Sequence, residues 1–490
     1  MTRTSPAPSG IEGLDSILAG GFPRSHIYLV EGDPGVGKTT LAIQFLIAGR
    51  EAGERTLYVT LSETARDIEA VSASHGWSLD GIELFELSAL EQQMRLDAET
   101  TVFHPSEVQL DAITRTLLDR IEQVVPSRVV FDSLSELRLL AQSALRYRRE
   151  VLTLKQYFAG KQCTVLLLDD RTAEVTDLQV HSLAHGVVSL EQHAPVIGSD
   201  RRRIRVRKLR GVDFRTGYHD YKIVTGGLQV YPRLVAAEHQ SAFVPSVLSS
   251  GLAELDALLG GGLHRGTNLL ILGPAGTGKS SLAAQYATAA AARGDRALIL
   301  GFDEIRGLLI ARADALGFDM SRHVEARQIE IRQIDPAEMG PGELIALIRA
   351  RVAAGVRMVV VDSVNGMLNS MPEDRHLYMQ LHELLSYLAA SGVTTILIMA
   401  QNGMFGAQMS APVDISYIAD TVLLLRHFES SGRIRKAISV VKKRSGLHED
   451  TIRELSLSDA GLTVGEPLSE FHGVLTGVPT FVGDEAKLRP

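Results

Sequence analysis

The sequence predicts two tandem α/β domains, each a mostly parallel sheet with helices on both faces. Three observations predict it: the chain repeats itself at long range, short apolar runs alternate with helical periods in each copy, and each copy carries a glycine-rich loop where a run meets a helix. In the repeat, Ser9–Asp15 returns as Ser250–Asp256, and Gly32, Lys38 and Glu63 return as Gly273, Lys279 and Glu304, each 241 positions later without a gap. Phe131-Asp132-Ser133 matches Val361-Asp362-Ser363 at an offset of 230, and Lys208-Leu209-Arg210 matches Lys442-Lys443-Arg444 at 234, so the second copy is shorter in its middle. The domains are therefore expected at residues 1–235 and 246–465, joined through Arg233–Pro245, with a tail at 466–490 that has no counterpart in the first copy.

Along the first copy the strand-like runs are His26–Val30, Thr56–Leu61, Arg128–Phe131 and Thr164–Leu168. Helical periods fall between them, at Thr39–Gly53, Thr64–Gly76 and Ser143–Ala159. Short continuous apolar strands separated by helices of this length are the pattern of a parallel sheet buried on both faces.

Composition narrows the function. Over 490 residues, 45% hydrophobic and 22% charged, the chain has the make-up of an ordinary globular protein. Its net charge of −8 gives no bulk attraction to nucleic acid or to an anionic membrane. The single cysteine, Cys163, excludes an internal disulfide framework and a cysteine zinc site, and suits a reducing compartment. Met1–Gly20 shows no signal-peptide pattern, and apolar runs break well short of the ~20 residues a membrane span needs, so a cytoplasmic location without membrane is expected.

Gly32-Asp33-Pro34-Gly35-Val36-Gly37-Lys38-Thr39 and Gly273-Pro274-Ala275-Gly276-Thr277-Gly278-Lys279-Ser280 both fit the phosphate-loop pattern G-x-x-x-x-G-K-[ST]. Gly32, Gly35, Gly37 and Gly273, Gly276, Gly278 let successive N–H groups turn inward on a phosphate, and the helix that follows presents its positive end to the same anion. Lys38 and Lys279 reach the β- and γ-phosphates, while Thr39 and Ser280 offer a hydroxyl to Mg²⁺; Thr40 and Ser281 complete the loops. ATP and Mg²⁺ are the cofactors expected.

Arg128–Asp132 and Met358–Asp362 are apolar strands that end in an acid, so Asp132 and Asp362 are the candidates for the metal side of each site. The bland alternative is that each acid caps a turn. A second strand end carries Ser62-Glu63 in the first copy and Asp303-Glu304 in the second. Glu63, Asp303 and Glu304 are candidate bases that orient water for in-line attack; the alternative is a helix start, which Ser62 and Glu63 also favour.

With these residues, and the late segments Lys208–Gly211 and Lys442–His448, the chain resembles the KaiC family of RecA-like ATPases over nearly its whole length. The resemblance implies a homo-oligomeric ring, a hexamer, with ATP between neighbouring subunits. It implies that Lys208, Arg210, Lys442, Arg444 and His448 touch nucleotide held by the next subunit, and that a protein partner is served in signalling or regulation. It also implies autophosphorylation of the second domain, where Ser416 keeps the acceptor hydroxyl and Tyr417 stands in place of a threonine. Ser62 departs from the family's paired glutamates in the first copy, and the tail does not match the clock protein's partner-binding tail. A circadian role is not supported by the sequence.

Two other readings compete. The basic run Arg201–Arg210, alternating from Arg203 to Arg207, reads as a strand with one cationic face: a nucleic-acid track in a recombinase or helicase, a subunit-interface strand, or a solvated edge. The negative net charge argues against the first. A nucleotide-switched scaffold is the non-enzymatic alternative. Trp77 and Cys163 read as packing residues.

Overall fold

The computed structural model describes residues 5–87, 105–141, 143–170, 178–195, 198–369, 377–401, 417–430, 432–475 and 480–482. The chain divides into two compact units, Met1–Arg233 and Leu234–Pro490. In the first unit the strands are β1 Ile27–Gly32, β2 Thr56–Thr60, β3 Ile82–Glu86, β4 Arg128–Asp132, β5 Thr164–Asp170, β6 Gly186–His193, β7 Arg201–Leu209, β8 His219–Val224 and β9 Gly227–Tyr231. They form one sheet in the order β3-β2-β4-β5-β1-β6-β7-β8-β9. Pairing is parallel from β3 to β6 and antiparallel from β6 to β9.

Both faces of this sheet are buried, which is why its central strands read as continuous apolar runs. Tyr28 and Val30 of β1 enter one core with Tyr58, Val130, Leu166 and Leu168. Ile27 and Leu29 enter the opposite core with Val59, Phe131, Val165 and Leu167. Each such side chain contributes roughly 1.5–3 kcal/mol of burial. The helix Lys38–Glu51 covers the first face with Leu41, Ala42, Phe45 and Leu46. Edge strand β3, Ile-Glu-Leu-Phe-Glu, is half polar and lacks the signal that marks the central strands.

The second unit repeats the plan. After a short ribbon of β10 Val247–Leu248 and β11 Leu263–His264 come β12 Asn268–Gly273, β13 Arg296–Gly301, β14 Ile329–Gln333, β15 Val356–Asp362, β16 Thr394–Ala400, β17 Thr421–Ser430, β18 Arg433–Lys443, β19 Arg453–Ser458 and β20 Gly461–Pro467. Their order, β14-β13-β15-β16-β12-β17-β18-β19-β20, matches the first sheet position by position. The α/β class read from the sequence is the observed one.

The segment read as a join packs on the second unit: Leu234 is buried in its core and Ala236 N donates to Glu383 Oε2 at 2.9 Å. Part of the tail also folds there. β21 Phe471–His472 pairs with β22 Thr480–Phe481, and Val474 is buried against Phe428 and Ala437. Among the described residues no helix is long and apolar enough to cross a membrane.

Candidate nucleotide sites

In an open parallel sheet, ligands sit outside the carboxyl ends of the strands. β1 lies between β5 and β6, so the loop leaving Gly32 opens at that edge, with the ends of β2, β4 and β5 to one side. The loop turns through Gly35 at φ 82° and Gly37 at φ 95°, a left-handed region that costs glycine little, and Gly37 hands over to the helix Lys38–Glu51. A Cβ on Gly37 would come within 2.7 Å of Ile223, whereas one on Gly35 meets nothing within 4 Å: one glycine is packed from behind and the other borders open space. That cradle fits a phosphate.

Lys38, buried, donates from Nζ to Gly32 O and Asp33 O, both at 2.9 Å, and pairs with Asp170 Oδ1 at 2.7 Å. Thr39 Oγ1 donates to Asp132 Oδ2 at 2.8 Å, and Tyr58 OH donates to the same oxygen at 2.5 Å. Asp132 is therefore aimed at the loop and not spent on a turn. Burial raises its carboxyl above the usual range, against the hydrogen bonds from Tyr58 and Thr39 that lower it. Thr40 is buried on the following helix.

The second loop has the same shape. Gly276 and Gly278 take φ 79° and 98°, and the helix Lys279–Ala292 starts at the lysine. Lys279 Nζ donates to Pro274 O at 2.6 Å, and burial pushes its ammonium down to about 8, with Asp362 acting in the opposite sense. A buried cation so poorly compensated fits an anionic ligand. Ser280 hydrogen-bonds Asp362, whose carboxyl is raised chiefly by burial. Ser281 is buried on the same helix. Each unit thus brings the hydroxyl of its loop to the acid at its strand end. One hydroxyl beside one carboxylate is a donor set that fits Mg²⁺, an ion that takes one or two protein ligands beside phosphate oxygens.

The candidate bases differ between the copies. The helix after β2 is capped by Thr64, whose side chain and Asp67 form a reciprocal box, so Glu63 is not the cap. Glu63 is largely solvent-exposed, yet partial desolvation of its carboxyl, together with the nearby Asp132, Asp67 and Asp170, raises it. In the second copy Arg312 Nη1 donates to Glu304 Oε1 at 2.6 Å, and Asp303 Oδ2 accepts from Ser363 Oγ at 2.6 Å. The clamp on Glu304 has no counterpart at Glu63, because Val71 stands at the position that matches Arg312.

The late cations stand at the other edge of each sheet. Arg210 N donates to His185 O at 3.1 Å and His185 N to Ile27 O at 2.8 Å, which sets Arg210 level with the start of β1, five positions before Gly32. Arg444 N donates to Asp420 O and Asp420 N to Asn268 O, the same relation to Gly273. Lys208 Nζ donates to His181 O and Ala184 O, Lys442 Nζ to Ala419 O, and His448 Nδ1 lies 2.9 Å from Glu449 O. None of them is brought to the loop of its own unit. Ser416 lies outside the described residues.

The basic run forms β7. Ile204 and Val206 face the core, while Arg203 pairs with Asp220, Arg207 with Glu31 and Glu191, and Arg205 lies over the Tyr218 ring. Carboxylates of the same unit take up much of this charge. Cys163 is 3% exposed and burial pushes its thiol up to about 12; Trp77 packs beside the first core.

Sequence reasoning missed Tyr58, Asp170 and Arg312. Each is an ordinary residue in an ordinary strand or helix, and only its neighbours across the fold give it a role.

The KaiC ATPase family model matches residues 7–235 and again residues 248–469. The chain is 26% identical over 485 residues to the circadian clock oscillator protein KaiC of a Picosynechococcus species, covering 97% of this chain and 93% of that protein. It is 27% identical over 489 residues to the circadian clock oscillator protein KaiC of Synechococcus elongatus, covering 97% and 92%, and 25% identical over 480 residues to the circadian clock protein KaiC3 of a Synechocystis species, covering 96% and 94%. Each match to the family model spans one whole sheet with its loop and strand-end acid, so the chain belongs to the KaiC family of ATPases.

Proposed function

We propose that this protein binds Mg·ATP at both loops and hydrolyses it as a cytoplasmic homo-oligomeric ring, a hexamer, in signalling or regulation. The observation that carries the ring is the position of the late cations. Arg210 and Arg444 sit five residues upstream of the loop along a central strand, roughly 16 Å at about 3.3 Å per residue, and on the wrong edge of the sheet for their own nucleotide. That position is out of reach of the phosphate at their own loop and supports contact with nucleotide held by another subunit. There Lys208, Arg210, Lys442, Arg444 and His448 offset charge that develops on the transferring group.

Within one unit the loop glycines and Lys38 or Lys279 hold the phosphates, and Thr39 with Asp132, or Ser280 with Asp362, hold the metal side. A Mg²⁺ held there would supply charge neutralisation to the phosphates. Glu63 orients water at the first site. Its raised carboxyl, with no partner among the described residues, makes it the readier proton acceptor, whereas Glu304 is committed to Arg312. Asp303 acts beside Glu304. The paired arginines of β7 support this reading over a nucleic-acid track.

Mass photometry with and without Mg·ATP, read beside phosphate release, tests the ring. Mixing Lys279→Ala subunits with Arg444→Ala subunits regenerates interfaces that carry both residues, so activity of the mixture exceeds the sum of its parts. No recovery at any mixing ratio places the contacts within one chain. Turnover that persists at the parent rate when Glu63 and Glu304 are both replaced by glutamine removes these two residues from catalysis; assembly that follows ATP with no turnover above background in the parent makes the protein a nucleotide-switched scaffold.

The same ATP has a second fate, transfer to Ser416. Tyr417 is exposed, and its phenol stands several ångströms further from its backbone than a threonine hydroxyl, so it is not placed for the same transfer. Labelled ATP followed by peptide mass spectrometry is expected to mark Ser416 alone. Hydrolysis without label on Ser416 reduces the protein to an ATPase.

A further inference from the structure

The two loops carry different counter-ions. A lysine ammonium has three N–H donors, and at the first loop all three are used within the chain: two by Gly32 O and Asp33 O, the third by Asp170 Oδ1 at 2.7 Å. Asp170 ends β5 directly beside Gly32 in the sheet register. Ser135 Oγ donates to its other oxygen, Oδ2, at 3.1 Å, and its backbone N is 3.4 Å from the same hydroxyl, so the carboxylate is tethered. In the second unit the residue beside Gly273 in the same register is Ala400. There Lys279 has one carbonyl partner, at Pro274, and no carboxylate within ion-pair distance among the described residues.

We propose that Asp170 is a specificity residue of the first site, a built-in counter-ion that makes nucleotide binding at this loop depend on a divalent cation, while the second loop carries no such requirement. This rests on the reading of both loops as nucleotide sites. A phosphate that engages Lys38 must take the donor that Asp170 holds. The displaced carboxylate cannot leave, because Ser135 and its own strand hold it beside the loop, with Asp132 and Glu63 adding negative charge nearby. Metal-free ATP then meets an acidic wall. A divalent cation offsets that repulsion. At the second loop, Lys279 meets the phosphate without displacing an acid.

The test uses full-length chains and a fluorescent ATP analogue, titrated in EDTA and in Mg²⁺. The first loop is read in a Lys279→Ala background and the second in a Lys38→Ala background. In EDTA, Asp170→Asn is expected to tighten binding at the first loop about 10- to 100-fold, the effect of removing one nearby like charge, with a much smaller change in Mg²⁺. Ala400→Asp is expected to weaken metal-free binding at the second loop by a similar factor, which carries the test should Asp170→Asn fold poorly. Unchanged affinity of either variant in EDTA, or equal tightening with and without Mg²⁺, overturns this proposal alone. Failure of the parent backgrounds to bind in Mg²⁺ overturns the nucleotide reading itself, and this proposal with it.

Discussion

Lys38→Ala and Lys279→Ala are each expected to leave one nucleotide bound per chain, against the two expected for the unaltered protein. Each lysine is buried at its loop, and a charge-assisted hydrogen bond to phosphate is worth about 1.5–3 kcal/mol, so affinity at the altered loop falls on the order of 10- to 100-fold. Turnover at that loop falls further, by roughly 10²–10³, because the ammonium also stabilises charge that develops in the transition state. Counting nucleotide released from purified, denatured chains checks it, and two nucleotides retained by either variant refutes the assignment. The variants differ without nucleotide. Burial holds Lys279 at about 8 against an ordinary 10.5, so the folded state binds its proton less tightly than the unfolded chain does. The penalty is full below about 8 and is relieved as pH rises toward 10.5, so Lys279→Ala costs the nucleotide-free protein little stability at neutral pH. Lys38→Ala, in contrast, strips Asp170 of its ion-pair partner and leaves its carboxylate, among the described residues, only the hydrogen bond from Ser135.

Arg128→Met is expected to destabilise the first unit by about 3–5 kcal/mol, the cost of breaking a buried ion pair from one side. Arg128 is 0% exposed at the start of β4. Its Nε donates to Glu54 Oε2 at 2.5 Å, its Nη1 donates to Pro8 O and Phe45 O, both at 2.7 Å, and its guanidinium lies 4.6 Å from the centre of the Phe45 ring. Methionine removes every donor. It is nonetheless the residue that the second copy uses at the matching position, where Met358 is 1% exposed. Hydrogen exchange read peptide by peptide is expected to show lost protection in residues 1–233 only. Arg128→Met combined with Glu54→Gln is expected to recover part of the loss, because the carboxylate that then keeps only Arg24 as its partner is gone. The pair also sets an acid limit. Burial alone would raise Glu54, but hydrogen bonds from Arg128 and Arg24 hold it below the ordinary carboxylate value of 4.5. Its contribution is therefore complete at neutral pH and is lost as pH falls below that value.

The sequence by itself determined the doubled α/β plan, both phosphate loops and the two strand-end acids. These features are written in short contiguous patterns: a two-sided apolar run, a loop of eight residues, an acid at the end of a strand. A pattern of that kind needs no knowledge of what lies beside it. The tertiary structure decided the rest. Thr39 and Asp132 are 93 positions apart and meet only because β4 lies near β1 in the strand order, and Tyr58 reaches the same carboxylate from β2. Asp170 becomes the partner of Lys38 because β5 is the immediate neighbour of β1. In sequence Arg128 only opens a strand-like run, whereas in the fold it is fully enclosed because the helix Lys38–Glu51 and the segment at Pro8 close over it. The placing of Arg210 and Arg444 on the far edge follows from β7 and β18 running antiparallel to the strands that precede them. Strand order and direction are set by which faces can be buried together, a property of the whole sheet that no local run of residues contains.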